Sequence, residues 1–585
     1  MLLVAFPAVY VKVSSRKTRD GRQVRYLQLA HNEWDPERGM SRTRVLHNFG
    51  REDELDRDAV RRLVASLSRL LPAGDAVAMT APAELAFTGS VPAGGAFALD
   101  GIWRQIGIDQ VMRRLGAKRR FDARFERVLF ALVANRALAP SSKLAAAEWV
   151  GNDVHIDGLP EVGEDACYRA MDWLLAIEPD LAKEVYFSTA HLLNLEVDLL
   201  FFDTTSTYFE IGEADEPVAR DHRGLPVTTR DETGSETDGT DAADAGGFRV
   251  FGKSKDHRED LPQVIVGMAV TREGIPVRCW SWPGNTADSA LIRQVRDDLR
   301  EWNLARVVWV VDRGFASAEN RRYLQRGAGH YILGEKLRGG TPAADAALSR
   351  QGRYQKVRDN LEVKEVKLDK DLADDRFVIC FNPIEAERDA ALRDKHITAL
   401  TEMINSSDRL PVTKRAELRG VISTKAHLKR YLRTTPSGLL RIDAAAIKRE
   451  ANLDGKYLLR TSDPTLSTQD IALGYKQLLE VERGWRDMKT VLDLRPVYHR
   501  REDRIRSHVL LCWLGLLLIR VAETRTSRRW PDLRRELDRI HLGTFTGPAG
   551  TFRRRTELTT SQTATLTTLG LPVPPLIAEA TPATT

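Results

Sequence analysis

Two short apolar runs in this chain each end on an aspartate. Leu199 to Phe202 leads directly into Asp203, and Val307 to Val311, with Trp309 inside it, leads directly into Asp312. Continuous apolar runs of this length predict strands buried on both faces. Each aspartate then stands at a strand's carboxyl end, where open α/β sheets place their chemistry. Two further strands are predicted over Gln263 to Thr271 and Pro276 to Trp282, joined by a turn at Glu273-Gly274. Residues 1–50 follow a different rhythm: Tyr10 to Val13 and Val24 to Leu29 alternate around Asp20-Gly21, a hairpin signal. A helix is predicted from Asp53 to Leu71, then a Pro/Ala/Gly stretch from Pro72 to Gly95 that reads as a linker. From Phe97 to Asn194 the spacing is helical.

Gly474 to Thr490 shows no alternation, and its apolar and aromatic residues recur at helical spacing. At roughly 100° per residue, Tyr475, Leu478, Glu482, Arg486 and Lys489 share a sector about 80° wide. Glu480 points elsewhere, which selects Glu482 as the inward carboxylate. Asp312 and Glu482 are 170 residues apart, so another unit must be inserted between them. Its candidate strands are Val363 to Leu368, Arg376 to Phe381 and Lys456 to Thr461, broken by helices near Ile384 to Leu400 and Val412 to Val421. Residues 211–247 are rich in Asp, Glu, Thr and Gly, and such a segment is not expected to order itself. The predicted division is an N-terminal hairpin plus helix over 1–75, a linker over 76–96 and a helical, DNA-binding region over 97–194. A catalytic core over 195–335 contains the disordered loop 211–247. A β-rich insertion follows over 336–466, then the second part of the core with basic helices over 467–555 and a disordered tail over 556–585.

Composition adds location more than identity. The chain has 585 residues, a formal charge of +6 and a pI near 9.0, which permits a polyanionic partner without requiring one. Between Arg495 and Arg555 there are fifteen Lys plus Arg against six acidic residues, whereas Glu210 to Gly247 carries eleven acidic residues against three arginines. The first is a candidate phosphate-binding surface and the second is not. Cys167, Cys279, Cys380 and Cys512 form no pair at metal-ligand spacing, which suits a reducing compartment. The opening MLLVAFPAVYVKV lacks a basic n-region, so no secretory signal is expected. The apolar run Val509 to Ile519 is shorter than the ~18 residues of a membrane span and predicts a buried helix. Trp280, Trp282, Trp485, Trp513 and Trp530 are read as core.

Asp203, Asp312 and Glu482 together make a set of hard oxygen donors suited to Mg²⁺ or Mn²⁺. Two such ions about 4 Å apart can activate a water or 3′-hydroxyl and stabilise the leaving oxygen of a phosphodiester. Lys255, His257, Arg313, Arg486, Lys489, Arg504 and Arg506 are the candidate DNA contacts, as cations that would hold flanking phosphates. For His257 the plainer reading is a solvated loop histidine.

These residues resemble a family. DTTS at Asp203, the strand-ending DRGFAS at Asp312, and Tyr475, Glu482 and Lys489 at sevenfold spacing are similar to the bacterial cut-and-paste DDE transposases with a Tyr-Arg-Glu-Lys signature. GKSKDHREDLPQ (252–263), GNTADSALI (284–292) and the stretch 495–520 extend the likeness to roughly residues 1–530. The arginine position of the signature is Leu478, and Arg486 on the same predicted face is the substitute. The resemblance implies an α/β protein with a ribonuclease H-like core, a mixed sheet flanked by helices, and a β-rich insertion domain. It further implies two divalent ions on Asp203, Asp312 and Glu482, Tyr475 and Lys489 as DNA-end contacts, and double-stranded DNA as partner. A homodimer in the synaptic complex, no membrane and a cytoplasmic, nucleoid-associated location complete the expectation. The function expected is end binding, cleavage and joining of 3′-ends to target DNA by an insertion-sequence transposase. A nuclease of the same fold and a non-catalytic DNA-binding descendant are the rivals.

Overall fold

The computed structural model describes residues 9–582, leaving out 18–22, 36–38, 69, 71–84, 118–123, 196–198, 222, 228–242, 303, 305, 372 and 549. The chain divides into two compact units, one of 1–90, 541–557 and 574–585, the other of 91–540 and 558–573.

In the first unit β1 (Val9–Lys17), β2 (Gln23–Asp35) and β3 (Met40–Arg51) form one antiparallel sheet, and a helix follows over Arg57–Ser68. β1 pairs with β2 from Val9 opposite His31 to Lys17 opposite Gln23, the partnership behind the early alternation. The turn at Asp20-Gly21 lies outside the described residues. A second sheet contains β4 (Ala86–Pro92) beside strands His541–Gly547, Gly550–Arg555 and Ile577–Pro582. Two expectations are corrected here. The stretch read as a linker contains β4, where Phe87 packs against Phe545 with ring centroids 5.4 Å apart; residues 72–84 of it lie outside the described residues. The tail read as disordered supplies the strand Ile577–Pro582, which pairs with Gly550–Arg555.

The second unit is built on a nine-stranded mixed sheet. Its strands are β5 (Leu199–Tyr208), β8 (Gln263–Val270), β9 (Pro276–Pro283), β10 (Val308–Val311), β11 (His330–Glu335), β12 (Gln355–Arg358), β13 (Leu361–Val366), β14 (Arg376–Phe381) and β17 (Lys456–Thr461). They run in the order β12-β13-β14-β17-β11-β10-β5-β8-β9. β5, β10 and β11 are parallel, while β8 and β9 return antiparallel beside β5. All residues of β8 and β9 are buried, as continuous apolar strands require. Gly274 makes the turn between them with φ +77°, a left-handed conformation that glycine enters freely.

Helices Gly94–Gln105, Phe125–Leu138, Glu164–Leu193 and Glu502–Thr526 share one hydrophobic core with this sheet. The region 97–194 is thus a packing layer of the second unit. Glu502–Thr526 is long and apolar enough to cross a membrane, and its apolar window is wholly buried inside the unit. The five tryptophans read as core are all buried. Helix Thr560–Thr568, from the supposedly disordered tail, also belongs here: Thr559 and Gln562 form a capping box, and Leu566 and Leu569 are buried.

The insertion is not a separate β-rich domain. β14 and β17 pair with each other, and β17 pairs antiparallel with β11, so the insertion's strands widen the core sheet. Beyond them the insert is mainly helical, with Pro383–Ile404, Val412–Ser423 and Ala444–Ala451 plus the ribbon of β15 (Leu432–Thr434) and β16 (Leu440–Ile442). The segment 211–247 is ordered at its two ends. β6 (Val218–Arg220) pairs with β7 (Ala243–Gly246), Arg220 grips Glu502 through two bonds of 3.1 and 2.9 Å, and Arg249 grips Asp215. Polar pairing there replaces the apolar burial that the composition lacks; residues 228–242 lie outside the described residues.

Candidate active site

The parallel pairing of β5 with β10 sets Phe202 opposite Val311. The next residues, Asp203 inside β5 and Asp312 just past the end of β10, therefore stand side by side; β5 does not end at Asp203 as expected but runs on to Tyr208, paired with β8 throughout. Asp312 opens a tight turn in which the Phe315 N–H donates to the Asp312 carbonyl at 3.0 Å. Buried Phe315 anchors that turn on Phe202, ring to ring at 5.4 Å.

A third carboxylate joins them. Asp288 begins helix Asp288–Arg300, and its Oδ1 accepts from Thr204 Oγ1 at 2.7 Å. Lys255 Nζ lies 3.5 Å from Asp203 Oδ1 and 3.4 Å from Asp288 Oδ2, while donating to the carbonyl and the hydroxyl of Thr204 at 2.6 Å each. Burial pushes the Asp203 carboxyl above its ordinary pKa, Lys255 opposes this, and the charges of Asp312 and Asp288 add to it. The position is one that calls for positive charge.

Glu482 lies on helix Leu478–Thr490, which buries Val481, Gly484, Trp485 and Met488 and packs on β5 and β8. Gly484 allows this approach, since a Cβ there would lie 2.6 Å from Met268 Cε. The helix is pinned to Glu502–Thr526 by a buried network: Arg520 donates to Asp487 at 2.6 Å and to Glu523 at 2.5 Å, and Arg483 donates to Glu523 at 2.5 Å. Glu482 and Arg486 remain exposed. Glu480 turns to Arg483 and the Gly274 turn.

The predicted helix over Gly474 to Thr490 is in fact two, Thr468–Lys476 and Leu478–Thr490, meeting at Gln477. Tyr475 therefore does not share a continuous face with Glu482, and it has its own anchorage. Its hydroxyl donates to Asp312 Oδ1 at 3.2 Å, its ring stacks on Tyr457 at 6.0 Å, and burial beside Asp312 raises its pKa, keeping it a donor. Gly334 on β11 makes room, because a Cβ there would collide with that hydroxyl. Lys489 Nζ donates to Thr205 Oγ1 at 2.8 Å and to both oxygens of Asp256 at 2.9 and 3.1 Å, and Arg495 reaches Asp256 at 2.8 Å. Tyr475 and Lys489 thus fix the elements on either side of Glu482.

Arg313, Arg486 and His257 are exposed, and among the described residues their side chains meet no hydrogen-bond or ion-pair partner. Arg504 and Arg506 are different, and their reading as phosphate contacts is corrected. Arg504 donates to Asp172 at 2.8 Å and to the Tyr168 carbonyl, stacked on the Tyr168 ring. Arg506 is buried over Phe248 and donates to Glu502 at 2.9 and 2.7 Å, with further bonds to the Ser281 and Gly224 carbonyls. Their charge is spent inside the protein. Asp288, Asp256 and Gly334 were missed. Asp288 sits in GNTADSALI and Asp256 in GKSKDHREDLPQ, both stretches that carry the family likeness.

Among the described residues no three His, Cys, Asp or Glu side chains are gathered closely enough to form a finished metal cage. The donors nevertheless suit a hard divalent cation: carboxylate oxygens on two neighbouring strands, Asp203 within β5 and Asp312 just past β10, with the Lys255 ammonium held where such a charge is stabilised.

The family model for the transposase DDE domain matches residues 226–518, half of the chain, and the chain belongs to that family. It is an insertion-sequence transposase: the N-terminal domain of IS1634 family transposases matches residues 11–77. The DDE match includes Asp312 and Glu482 and begins after Asp203. A cryo-EM structure of the piggyBac transposase synaptic complex with hairpin DNA is similar at 10% identity over 76% of this chain and 78% of that one, with a TM-score of 0.33. No curated protein matches the chain.

Proposed function

We propose that this transposase binds the terminal inverted repeats of its element, cleaves there and joins the 3′-ends to target DNA, using two divalent ions held by Asp203, Asp312 and Glu482. The observation that carries the reading is the register of β5 and β10, which sets Asp203 and Asp312 side by side on adjacent central strands of the sheet. The strand order β9-β8-β5-β10-β11, with three antiparallel strands followed by two parallel ones, supports a ribonuclease H-like core.

Mg²⁺ or Mn²⁺ bound there supplies an activated attacking oxygen and a stabilised leaving oxygen. The rest is done by the chain. Tyr475 orients Asp312, and Lys489 with Asp256 ties the Glu482 helix to β5. Lys255 balances the charge of Asp203 and Asp288. Arg313, Arg486 and His257, exposed around the carboxylates, take the flanking phosphates, Arg486 filling the place that Leu478 leaves without an arginine. The chain acts as a homodimer on DNA in the nucleoid.

The test is incubation of the protein with Mg²⁺, a duplex carrying the element's own ends and a target plasmid. Joined products are expected. Cut but unjoined ends would make the chain a nuclease, and binding without cutting would make it a DNA-binding protein; either overturns the proposal.

A further inference from the structure

The stretch 495–520 does more than close the core. With the start of helix Lys143–Asn152 it lines a cavity of about 90 Å³. Three waters at about 30 Å³ apiece, or one tetrahedral oxyanion, match that space. Its polar lining is basic, with Arg136, Lys143, His499 and His508 beside Ser141, Ser142, Tyr168 and Tyr498, and among the described residues no carboxylate lines it. Lys143 is 3% exposed and has no hydrogen-bond or ion-pair partner among the described residues. His508 is 4% exposed; its Nε2 faces the Leu494 carbonyl at 3.2 Å, and its Nδ1 has no partner. Arg136 bonds Asn135 and the Ser141 carbonyl through its terminal nitrogens, and its Nε is unpartnered.

Ser142 caps the helix by accepting from the Ala145 N–H at 3.2 Å. The geometry of a helix start leaves the N–H groups of Lys143 and Leu144 open, at the positive end of the dipole. A buried ammonium without counter-charge is costly. Accordingly, burial and Arg136 bring Lys143 down to about 7, and burial with Lys143, Arg504 and Arg136 brings His499 down to about 4. An anion in the cavity would oppose both shifts by supplying the missing counter-charge.

We infer that this cavity binds a phosphate-type oxyanion, held by Lys143, Arg136, His499 and the first N–H groups of helix Lys143–Asn152. The oxyanion is either inorganic phosphate or one phosphate of a DNA strand entering past Tyr498, which is 72% exposed at the rim. The site lies outside the carboxylate cluster and adds a second anion contact to the chain.

Thermal unfolding of the full chain, titrated with inorganic phosphate against chloride at matched ionic strength, tests it. The wild type should show a saturable rise in Tm. Lys143→Met should weaken phosphate by at least about tenfold, the scale of one charge-assisted hydrogen bond, and Lys143→Arg should retain it. If Lys143→Met does not fold, His499→Gln carries the same comparison. No saturable rise in the wild type, or equal rises in wild type and variant, overturns the inference. A salt titration of duplex binding then separates the sources, and only this arm rests on the proposed DNA binding. A slope smaller by about one in Lys143→Met assigns the site to a DNA phosphate; an unchanged slope with the phosphate effect lost assigns it to free phosphate.

Discussion

Arg504 and Arg506, at the start of helix Glu502–Thr526, and Arg313 and Arg486, around the carboxylates, carry the same charge into opposite surroundings. The first two are enclosed. Arg506 is bonded to Glu502, which also takes Arg220, and Arg504 is bonded to Asp172 and the Tyr168 carbonyl. Arg313 and Arg486 stand in solvent, with no hydrogen-bond or ion-pair partner among the described residues. A guanidinium whose donors are already used inside the fold has none to offer a phosphate, so the density of basic residues along a stretch does not locate a DNA surface; unpaired exposure does. The two pairs of arginines should therefore fail in different ways.

The largest effect is expected at the enclosed pair. Arg506→Glu places two carboxylates together in a buried position and leaves Glu502 with Arg220 as its remaining cation, costing about 3–5 kcal/mol or preventing folding altogether. Chemical denaturation of wild type and variant measures it, and an unchanged midpoint would mean that the Glu502 network does not hold the fold. Next comes Gly334→Ala. The added methyl meets the Tyr475 hydroxyl, so overpacking of about 1–3 kcal/mol is expected, together with a loss of cleavage that Tyr475→Phe reproduces at much smaller stability cost. Equal, unimpaired cleavage by both would remove Tyr475 from the support of Asp312.

Asp203→Asn should stabilise, by about 0.5–2 kcal/mol at neutral pH. Burial raises the Asp203 pKa in the folded chain, so this group favours folding most below its unfolded pKa and loses that contribution as pH rises through the folded value. The Tm advantage of the variant should accordingly grow from acid to neutral pH, and an advantage that shrinks would contradict the direction of the shift. The smallest stability effect belongs to Arg486→Ala. Its Tm should not move, while the salt slope of DNA-end binding falls by about one. A lowered Tm with an unchanged slope would place Arg486 with the enclosed arginines after all.

Much of the sheet could be read from the chain because buried strands are written as local apolar runs. Arg376–Phe381 and Lys456–Thr461 fold over the ranges expected, and β8 and β9 differ from expectation by one residue at an end. What those strands pair with is not local. β17 beside β11 joins residues more than a hundred positions apart, so an extension of the core sheet looked like a domain of its own. The tail was misread for another reason: capping and strand pairing order a Thr-rich stretch whose composition suggests none. At the site, Asp203 and Asp312 are marked by the apolar runs that lead into them, although only β10 stops there and β5 continues to Tyr208. Asp288, Asp256 and Gly334 carry no such mark, since each matters only through a neighbour brought by the fold: Lys255 and Thr204, Lys489 and Arg495, and Tyr475.

The central claim is that Asp203, Asp312 and Glu482 act together on the chemical step. Cleavage of element-end DNA in Mg²⁺ by Asp203→Asn, Asp312→Asn and Glu482→Gln, with end binding measured in parallel by gel shift, tests it most directly. Each variant should bind within a few-fold of wild type and cleave at least about a hundredfold more slowly, the scale on which losing one electrostatic partner of a reacting centre is felt. Cleavage at the wild-type rate by any one of the three would contradict the account and remove that carboxylate from the site.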